Sequence, residues 1–360
     1  MKKKVLLCSY NLDIGGIETS LVNLLNKIDL NKYEITLLLE KKEGIFLKSI
    51  PKDIKVIEYK TSDCKNIIFR KIINRLKLIF YILKFYKKFD FTGCYATHLG
   101  PEAIITRYAS TNNALWVHSN YYYVYKKDIN KMKEFFDKRK VSKFNKILFV
   151  SNESKEDFIN IYKTLKNKCF VLSNIIDYKK IISLSNEKIS EKIKKPLIVF
   201  VGRLDEESKR ISLLIESLSR FDNYECLIIG DGPDKNLYEK LIEEKKLRDK
   251  IKLLGKKDNP YPYIKNSDLV ILTSLYEGFP VVLVEAMILS KPFISTFTSS
   301  NKYFDLKDYG NIVDNNIESV TEALKEFFEK GIKVKNKFDF EEFEKNILLD
   351  LEELIEKRSN

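Results

Sequence analysis

Two carboxylates, Glu277 and Glu285, are the side chains of this 360-residue sequence with the clearest potential for chemistry. Glu285 lies in an apolar run that is expected to continue as a largely covered helix, so its carboxylate needs a partner. One interpretation pairs Glu285 with a Lys or Arg inside the fold. In the other, Glu285 accepts hydrogen bonds from a sugar diol, with Glu277 at the mouth of the helix. The spacing alone leaves both interpretations open.

A second candidate group is cationic. Arg203 and Lys209 follow Gly202 at the end of a predicted strand. Arg offers a planar fork that suits phosphate oxygens, and Lys offers a mobile point charge. These residues therefore indicate a phosphate site, although both could also be surface charges on a turn.

A pair of glycines and a histidine complete the candidates. Gly15 and Gly16 follow the first predicted strand and open a helix whose N-terminus could hold phosphate. A dinucleotide site would require Gly-x-Gly-x-x-Gly, which is absent there. His118 follows another predicted strand at the C-terminal end, where ligands of parallel sheets collect. His98 and His118 are the only two histidines and make no metal site.

These residues are positioned by an alternation of strands and helices in both halves of the chain. The predicted strands are residues 4–9, 34–39, 55–57, 92–95, 114–117 and 146–150, then 197–201, 226–229, 251–254, 268–273 and 293–295. Such alternation predicts α/β architecture with two doubly wound parallel sheets.

The length of the chain is too great for one ordinary core and suits two domains. We predict an N-terminal domain over residues 1–175, a linker over 176–195 and a C-terminal domain over 196–335. Residues 336–360 contain an amphipathic helix, and the sequence leaves open whether it returns to the first domain.

Composition limits the class of protein. A hydrophobic content of 44% and a charged content of 32% are typical of a folded chain. Five cysteines without a Cys-x-x-Cys pair argue against a disulfide framework and a zinc ribbon. The apolar run after Met1 is too short for a signal peptide, and no stretch reaches the roughly 20 apolar residues of a membrane span. We therefore expect a cytoplasmic protein.

The net charge of +13 is unevenly distributed. Residues 1–172 hold 33 Lys and Arg against 17 Asp and Glu, whereas the remainder holds 31 against 34. This asymmetry predicts an anionic partner for the first half, such as a membrane surface, a phosphorylated acceptor or nucleic acid. The alternative is a Lys-rich composition without a specific partner. No stretch resembles a zinc finger or an RNP motif, so we predict no nucleic-acid partner.

Residues 71–89 are predicted to form one long helix with a basic stripe and an apolar side. The stripe is Arg70, Lys77, Lys84 and Lys88, and the apolar side is Ile72, Ile73, Leu76, Ile79, Phe80 and Leu83. Further apolar surface outside that side is added by Leu78, Tyr81, Ile82 and Phe85. Such a helix could lie in a lipid headgroup layer, or pack on a sheet with its Lys side chains reaching water. A second basic and aromatic stretch, residues 121–140, could border an acceptor cleft or dock on a membrane.

Five stretches, in this order, carry a resemblance to a known family. They are Gly15-Gly16-Ile17-Glu18, Trp116-Val117-His118, Val201-Gly202-Arg203-Leu204 with Lys209, Gly230-Asp231-Gly232-Pro233, and Glu277-Gly278-Phe279-Pro280 ending at Glu285. On these motifs the whole chain resembles the bacterial retaining glycosyltransferases of family 4, of the type that builds capsular polysaccharide and exopolysaccharide. The resemblance implies the GT-B fold, in which two Rossmann-like domains face each other across a cleft.

The resemblance also implies roles for the candidate residues. Arg203 and Lys209 would neutralise the diphosphate of a nucleotide-sugar donor, with a UDP-sugar as the expected donor. Gly16, next to Gly15, would offer its N–H to the same diphosphate.

The sugar and the ribose would be held by the second group of residues. Glu285 would hold the ribose hydroxyls. Glu277 and Gly278, with the amides near Phe279 and Val281, would contact the transferred hexose. His118 would face that sugar from the first domain.

Many sugar transferases hold a metal ion with an Asp-x-Asp pair, which this sequence lacks. We therefore expect no metal and no cofactor other than the donor. The sequence departs from the family pattern at Pro280, at Arg210, where no Gly follows Lys209, and at Ile175 and Ile176, where Gly is usual.

Three hypotheses follow. The first is a retaining, metal-independent transferase that moves a hexose to a lipid-linked or polysaccharide acceptor, at the inner face of the cell membrane. The second is a non-catalytic nucleotide-sugar-binding subunit of a transferase complex. The third, a nicotinamide enzyme, is disfavoured by the missing glycine spacing.

Overall fold

The structure is a computed structural model, which describes residues 2–13, 15–97, 99–298 and 308–357. The chain divides into two compact units. Unit 1 comprises Met1–Ile176 together with Glu342–Asn360, and unit 2 comprises Asp177–Glu341. No helix within the described ranges has the length and hydropathy that crossing a bilayer requires.

Unit 1 is built on a seven-stranded parallel sheet with the strand order β3-β2-β1-β4-β5-β6-β7. Its strands are β1 (Lys3–Ser9), β2 (Tyr33–Leu39), β3 (Lys55–Glu58), β4 (Phe91–Cys94), β5 (Asn113–Val117), β6 (Lys146–Phe149) and β7 (Cys169–Val171). The central strands β1, β4 and β5 are apolar and buried along almost their whole length, because helices cover both faces of a parallel sheet.

Helices cover the sheet of unit 1 between successive strands. They are α1 (Gly16–Lys27), α2 (Ile67–Phe85), α3 (Pro101–Ala109), α4 (Tyr121–Val124), α5 (Ile129–Lys138) and α6 (Asn152–Ile161), with short 3-10 helices at Ile45–Ser49, Val141–Lys143 and Lys163–Lys168.

Unit 2 repeats the architecture with a six-stranded parallel sheet in the order β10-β9-β8-β11-β12-β13. Its strands are β8 (Leu197–Val201), β9 (Glu225–Ile229), β10 (Ile251–Gly255), β11 (Leu269–Leu272), β12 (Phe293–Thr296) and β13 (Gly310–Val313). Its helices are α7 (Tyr178–Leu184), α8 (Glu206–Lys209), α9 (Ile211–Leu218), α10 (Lys235–Glu244), α11 (Tyr261–Asn266), α12 (Val281–Ile288) and α13 (Ile317–Lys330).

The last helix, α14 (Phe340–Glu356), follows unit 2 in sequence but packs on unit 1. Ile347, Leu351 and Leu354 on one side of α14 join the core formed by β1, β2 and α1. The Asn112 amide donates to the carbonyl of Ile355 at 2.9 Å, and Lys27 pairs with Glu344 at 3.0 Å. The chain therefore returns to unit 1 at its C-terminal end.

The prediction of two parallel α/β sheets is confirmed, and the structure adds two strands that the sequence did not indicate. These are β7, which has three residues, and β13, which includes Gly310 and Asn311. Both lie at the edge of their sheet, where one side is unpaired and an apolar run is not required.

The predicted long helix is present as α2, which begins four residues before the predicted start and ends at Phe85, not Phe89. The side of α2 that packs on unit 1 carries Leu78, Tyr81, Ile82 and Phe85. The apolar side that the sequence emphasised is mostly exposed, because these four residues already fill the contact with the sheet.

Candidate active site

The point in unit 2 where the strand order reverses lies between β8 and β11, which pair directly. In open α/β sheets, ligands bind outside the carboxyl ends of the strands at such a point. Arg203 and Lys209 follow β8, and Glu277 follows β11. The topology therefore brings together candidates that are distant in the sequence of unit 2.

Lys209 and Glu277 form an ion pair although 68 residues separate them. Only 18% of the Lys209 side chain and 12% of the Glu277 side chain are exposed. The Ser274 hydroxyl donates to the same Glu277 oxygen at 2.6 Å, and the Thr273 hydroxyl donates to the Lys209 carbonyl at 2.9 Å. These contacts fix the ammonium group at the carboxyl edge of the sheet.

Arg203 lies on the exposed loop after β8. Within the described part of the chain its guanidinium makes no hydrogen bond or ion pair, unlike that of Arg210. The backbone around it is held by Gly202 N–H, which donates to Ile229 O, and Leu204 N–H, which donates to Asp231 O, both at 3.0 Å. The loop is thus fixed by its backbone while its charged side chain faces solvent.

The glycines of the Gly230-Asp231-Gly232-Pro233 motif allow this loop to pack closely. A Cβ atom at Gly230 would lie 1.8 Å from the Gly202 carbonyl oxygen, and one at Gly232 would lie 2.3 Å from the Leu204 carbonyl oxygen. Gly230 also has a φ of +150°, which side chains rarely permit. The motif therefore shapes the Arg203 loop.

Arg210 occupies the position at which the family pattern would have Gly. Its φ of 48° lies in the left-handed region, where a residue other than Gly is uncommon. Its guanidinium donates to the Asn315 carbonyl at 3.0 Å and to the Asn315 side chain, and Asn315 Nδ2 donates to the Ser274 carbonyl at 2.8 Å. Arg210 therefore links the Lys209 turn to the Glu277 loop and belongs to the scaffold.

The residues after Glu277 lead into the N-terminus of α12. Pro280 is the N-cap and provides no side-chain hydrogen bond to the first turn. The Val281 N–H donates to the Phe279 carbonyl at 2.9 Å, and Phe279 is buried next to the half-buried Gly278. A helix N-terminus without a side-chain cap is suited to a ligand phosphate or hydroxyl group.

Glu285 is only 8% exposed, and its hydrogen-bond partner is the Tyr261 hydroxyl. Burial raises the pKa of the Glu285 carboxyl to about 8, and the Tyr261 hydrogen bond opposes that rise. Burial and the neighbouring Glu285 raise the pKa of Tyr261. No ion pair to Glu285 occurs within the described ranges, so its partner is a phenol and not the interior cation that one interpretation expected.

In unit 1, Gly15 and Gly16 lie at the N-terminus of α1 as predicted. Gly15 is the N-cap, without a side-chain hydrogen bond to the first turn. A Cβ atom at Gly15 would lie 2.2 Å from a Glu18 carboxylate oxygen, whereas one at Gly16 would meet no atom within 4 Å. The end of the flexible Glu18 side chain could move aside, so packing of the described residues requires glycine at neither position.

His118 lies directly beyond β5. Its Nε2 contacts the Tyr95 carbonyl oxygen at 2.8 Å, and the two rings are 5.0 Å apart. A carbonyl oxygen can only accept, so Nε2 carries the proton in this bond. The Tyr95 hydroxyl in turn lies 2.9 Å from Ser20 Oγ on α1, so Tyr95 connects His118 to the helix that begins at Gly16.

The sequence analysis missed several residues that position the site: Tyr95, Ser20, Tyr261, Ser274 and Asn315. Tyr95 is the last residue of one predicted strand and Ser274 follows another, and these positions were the available signal. Nothing in the sequence links Tyr261 to Glu285 or Asn315 to Arg210, since those contacts depend on the folded chain.

The predicted site residues fall into two groups, one in each unit. Gly15, Gly16 and His118 lie at the carboxyl edge of the unit 1 sheet. Arg203, Lys209, Glu277, Gly278, Phe279, Val281 and Glu285 lie beyond β8 and β11 of unit 2. His98 lies outside the described residues, and no group of three metal-ligating side chains occurs among those that are described.

Residues 183–342, nearly the whole of unit 2, match the protein family described as glycosyl transferases group 1. The chain is 27% identical over 341 residues to a Campylobacter jejuni enzyme named N-acetylgalactosamine-N,N'-diacetylbacillosaminyl-diphospho-undecaprenol 4-alpha-N-acetylgalactosaminyltransferase, covering 89% of this chain and 88% of the relative. It is 32% identical over 197 residues to an uncharacterized glycosyltransferase of Methanocaldococcus jannaschii. That match covers 52% of this chain, which spans only about half (48%) of the relative.

Among solved structures, Anabaena HepE in complex with UDP-glucose is similar, with a TM-score of 0.75, 15% identity, and coverage of 97% of this chain and 99% of HepE. Together with the two parallel sheets, this likeness confirms the predicted GT-B fold.

Residues 183–342 therefore match a group 1 glycosyltransferase domain, and the prediction of a glycosyltransferase enzyme is confirmed at the level of this class.

Proposed function

We propose that the chain is a retaining, metal-independent glycosyltransferase of family 4 that transfers a hexose from a UDP-sugar. The acceptor is a lipid-linked intermediate or a polysaccharide of surface polysaccharide biosynthesis. The observation that carries the proposal is the meeting of Arg203, Lys209 and the uncapped α12 N-terminus at the carboxyl edge of the unit 2 sheet.

The reaction breaks the bond between the hexose and the nucleoside diphosphate. Negative charge accumulates on the leaving diphosphate, and cationic groups that are already in place lower the barrier. The Lys209 ammonium, held by Glu277, is fixed before the donor arrives. The Arg203 guanidinium on its rigid loop supplies a planar fork for phosphate oxygens. In unit 1, the Gly16 N–H at the start of α1 is assigned to the same diphosphate.

The hydroxyl groups of the donor are assigned to the remaining residues. Glu285 binds the ribose diol, because a carboxylate can accept from two hydroxyl groups at once. Glu277 and Gly278, with the amides of Phe279 and Val281, contact the hexose. His118 contacts the hexose from unit 1, with its ring orientation set by the Tyr95 carbonyl.

The proposed acceptor is supported by the name of the Campylobacter relative, which acts on a sugar linked to diphospho-undecaprenol. An acceptor of this kind lies at a membrane surface. It also carries the negative charge that the basic first half of the chain suits.

A panel of nucleotide sugars tests the proposal through release of the nucleoside diphosphate. We expect turnover of a UDP-sugar that persists in EDTA and falls at least a hundredfold for Arg203→Ala. Arg248→Ala is the matched control, since Arg248 is an exposed arginine of unit 2 away from this edge. UDP binding without turnover would favour the alternative, a non-catalytic nucleotide-sugar-binding subunit. Loss of turnover in EDTA that Mg²⁺ or Mn²⁺ restores would contradict metal independence.

A membrane-facing surface on α2 is the second part of the proposal. The exposed fractions of nine large apolar residues in and next to α2 range from 46% to 69%: Ile67, Ile68, Phe69, Ile72, Leu76, Ile79, Phe80, Leu83 and Tyr86. At about 100° per residue along a helix, Lys71 and Arg75 border this apolar face on one side and Lys77 and Lys84 on the other. An apolar face between rows of basic residues suits an anionic bilayer.

Co-sedimentation with phosphatidylglycerol vesicles tests this surface. We expect binding that weakens as salt rises and that falls at least tenfold for Leu76→Glu/Leu83→Glu, which places charge in the apolar face. Leu237→Glu, on the exposed side of α10 in unit 2, is the control. Unchanged vesicle binding of the double variant, or salt-sensitive self-association through this face in place of vesicle binding, would contradict the assignment.

A further inference from the structure

A second charged feature of unit 1 is a cavity of about 480 Å³ between α2, α3 and the turn after α5. Five cationic side chains line it: Arg75, Arg107, Lys138, Arg139 and Lys140. No Asp or Glu occurs among the described residues of its lining. The cavity therefore concentrates positive charge without an acidic counterpart in its wall.

The two half-buried arginines of the cavity are held in place by neutral groups. Arg107 Nε donates to the Ala103 carbonyl at 3.2 Å, and its guanidinium lies over the Phe144 ring. Arg139 donates to the carbonyls of Thr97 and Phe135 and stacks 3.4 Å from the centre of the Phe135 ring. Carbonyls and rings orient these guanidinium groups but do not neutralise them.

The exposed cations at the rim are differently placed. Lys138 forms an exposed ion pair with Glu134 of α5. Arg75 on α2 and Lys140 after α5 have no ion pair within the described ranges, and both side chains are exposed. These two can turn toward a ligand in the cavity without breaking another contact.

Glu102 lies in the sequence between two lining residues but is not part of the lining. Its carboxyl is buried next to Glu40. Burial, together with the neighbouring Glu40, raises the pKa of Glu102 to about 7. The carboxyl is therefore about half protonated near pH 7 and mostly protonated below about pH 6, so it carries only part of a full negative charge near neutrality.

The remaining wall is mostly apolar and includes Leu78, Leu99 and Ile104, with Thr61 and Asn74 as polar members. Arg75 also borders the exposed apolar face of α2. A ligand that fits both surfaces carries a phosphoryl group next to a hydrocarbon chain, since Arg forks match phosphate oxygens and apolar chains favour the apolar wall.

We propose that this cavity binds the phosphoryl group of a lipid acceptor, with Arg75, Arg107, Arg139 and Lys140 as its ligands. The assignment rests on the proposed transferase function, since it names the part of the acceptor that unit 1 recognises. The apolar part of the same lipid lies along α2. Residues 138–140 belong to the second basic stretch of the sequence, whose role is thereby specified as acceptor binding.

Titration with inorganic pyrophosphate tests the cavity directly. The full chain is saturated with UDP and EDTA is present, so that the donor site is occupied. We expect saturable pyrophosphate binding that weakens at least tenfold in Arg75→Ala/Lys140→Ala. Lys48→Ala/Lys52→Ala removes two exposed charges from the same unit outside the cavity and should bind as the unaltered chain does. Equal binding by all three proteins, or none by the unaltered chain, would overturn the proposal.

A second titration identifies the source of the phosphoryl group. Farnesyl diphosphate, below its micelle concentration, should bind at least tenfold more tightly than pyrophosphate, and the Arg75→Ala/Lys140→Ala variant should lose that binding. Equal affinities would indicate a soluble phosphate and refute the lipid assignment. Lys140→Ala alone leaves the basic border of the α2 face intact and separates the acceptor from a bulk lipid headgroup. An equal loss of affinity of this variant for farnesyl diphosphate and for phosphatidylglycerol vesicles would indicate a general headgroup site and refute the acceptor assignment.

UDP binding by the same three proteins separates this proposal from the function on which it rests. If none of them binds UDP, the assigned donor is wrong, whereas the pyrophosphate titration still tests whether the cavity binds phosphoryl groups. If all three proteins bind UDP equally and also bind pyrophosphate with the same affinity, only the cavity proposal fails.

Discussion

The two units share a strand order but differ in what lies at the carboxyl edge of their sheets. In unit 2 that edge holds charged groups that are fixed by direct contacts, since Lys209 pairs with Glu277 and Arg210 donates to the neutral Asn315. In unit 1 the corresponding part of the edge, beyond β4 and β5, is aromatic and neutral, with Tyr95 between His118 and the Ser20 hydroxyl. The cations of unit 1 lie instead along α2 and around the cavity beside it.

The difference shows how one scaffold can serve two tasks. Stabilising a departing diphosphate requires fixed charge at the point where the strand order reverses, and unit 2 provides it. Orienting a sugar requires hydrogen bonds of set geometry, which a neutral edge can supply. The effects of substitutions at the two edges should therefore differ in size and in the property that they change, which is transfer or stability.

The largest expected effect is that of Lys209→Ala. We expect transfer to fall on the order of 100- to 1000-fold, because the charge nearest to Glu277 is removed from the proposed diphosphate site. Unfolding in urea should also show a loss of about 3 kcal/mol, since Glu277 is left mostly buried and unpaired. Lys240→Ala, on the exposed side of α10, is the control.

The double variant Lys209→Met/Glu277→Gln separates the two consequences. It replaces the ion pair by neutral groups, so most of the stability should return while transfer remains low. Recovery of transfer together with stability would mean that Lys209 acts only through the fold.

A smaller effect, dependent on pH, is expected for Glu285→Gln. The folded-state pKa of Glu285 is raised to about 8, so its contribution to stability is complete below about pH 4.5 and is lost as pH rises toward 8. Between pH 5 and 7 the unaltered chain should lose about 2.5 kcal/mol of unfolding free energy relative to Glu285→Gln. Urea unfolding at several pH values measures this difference.

The control for that experiment is Glu239→Gln, which alters an exposed carboxylate of α10 in the same unit. Its curve should run parallel to that of the unaltered chain. If the Glu285→Gln curve were parallel as well, Glu285 would be ionised in the ligand-free protein.

The smallest effect belongs to the neutral edge of unit 1. Tyr95→Phe removes the hydroxyl that contacts Ser20 but leaves the carbonyl that contacts His118. We expect a loss of about 1 kcal/mol in unfolding free energy and a change in transfer of less than tenfold. Tyr108→Phe, at an exposed position of α3 in the same unit, is the control. A larger loss of transfer than Lys209→Ala produces would reverse the comparison between the two edges.

The sequence predicted the central strands well because a strand buried on both faces must be apolar along its whole length. It failed at β7, which has only three residues, and at β13, which begins with Gly310 and Asn311. It also emphasised the exposed side of α2, because this helix has two apolar sides and periodicity does not show which one meets the sheet.

For the candidate site, the positions at strand ends were predictable, whereas the partners were not. Gly202 with Arg203, and Glu277, follow apolar strands and could be placed at the carboxyl edge. The pairing of Lys209 with Glu277 requires β8 and β11 to be neighbours, which the order of strands along the chain does not state. The Tyr261 partner of Glu285 depends on how α11 meets α12.

The most direct test of the central claim compares the binding of UDP and uridine in EDTA, by competition or calorimetry. If Arg203 and Lys209 bind the diphosphate, Arg203→Ala and Lys209→Ala should each weaken UDP binding at least tenfold and leave uridine binding unchanged. Equal losses for UDP and uridine, or UDP binding that neither substitution alters, would contradict the claim.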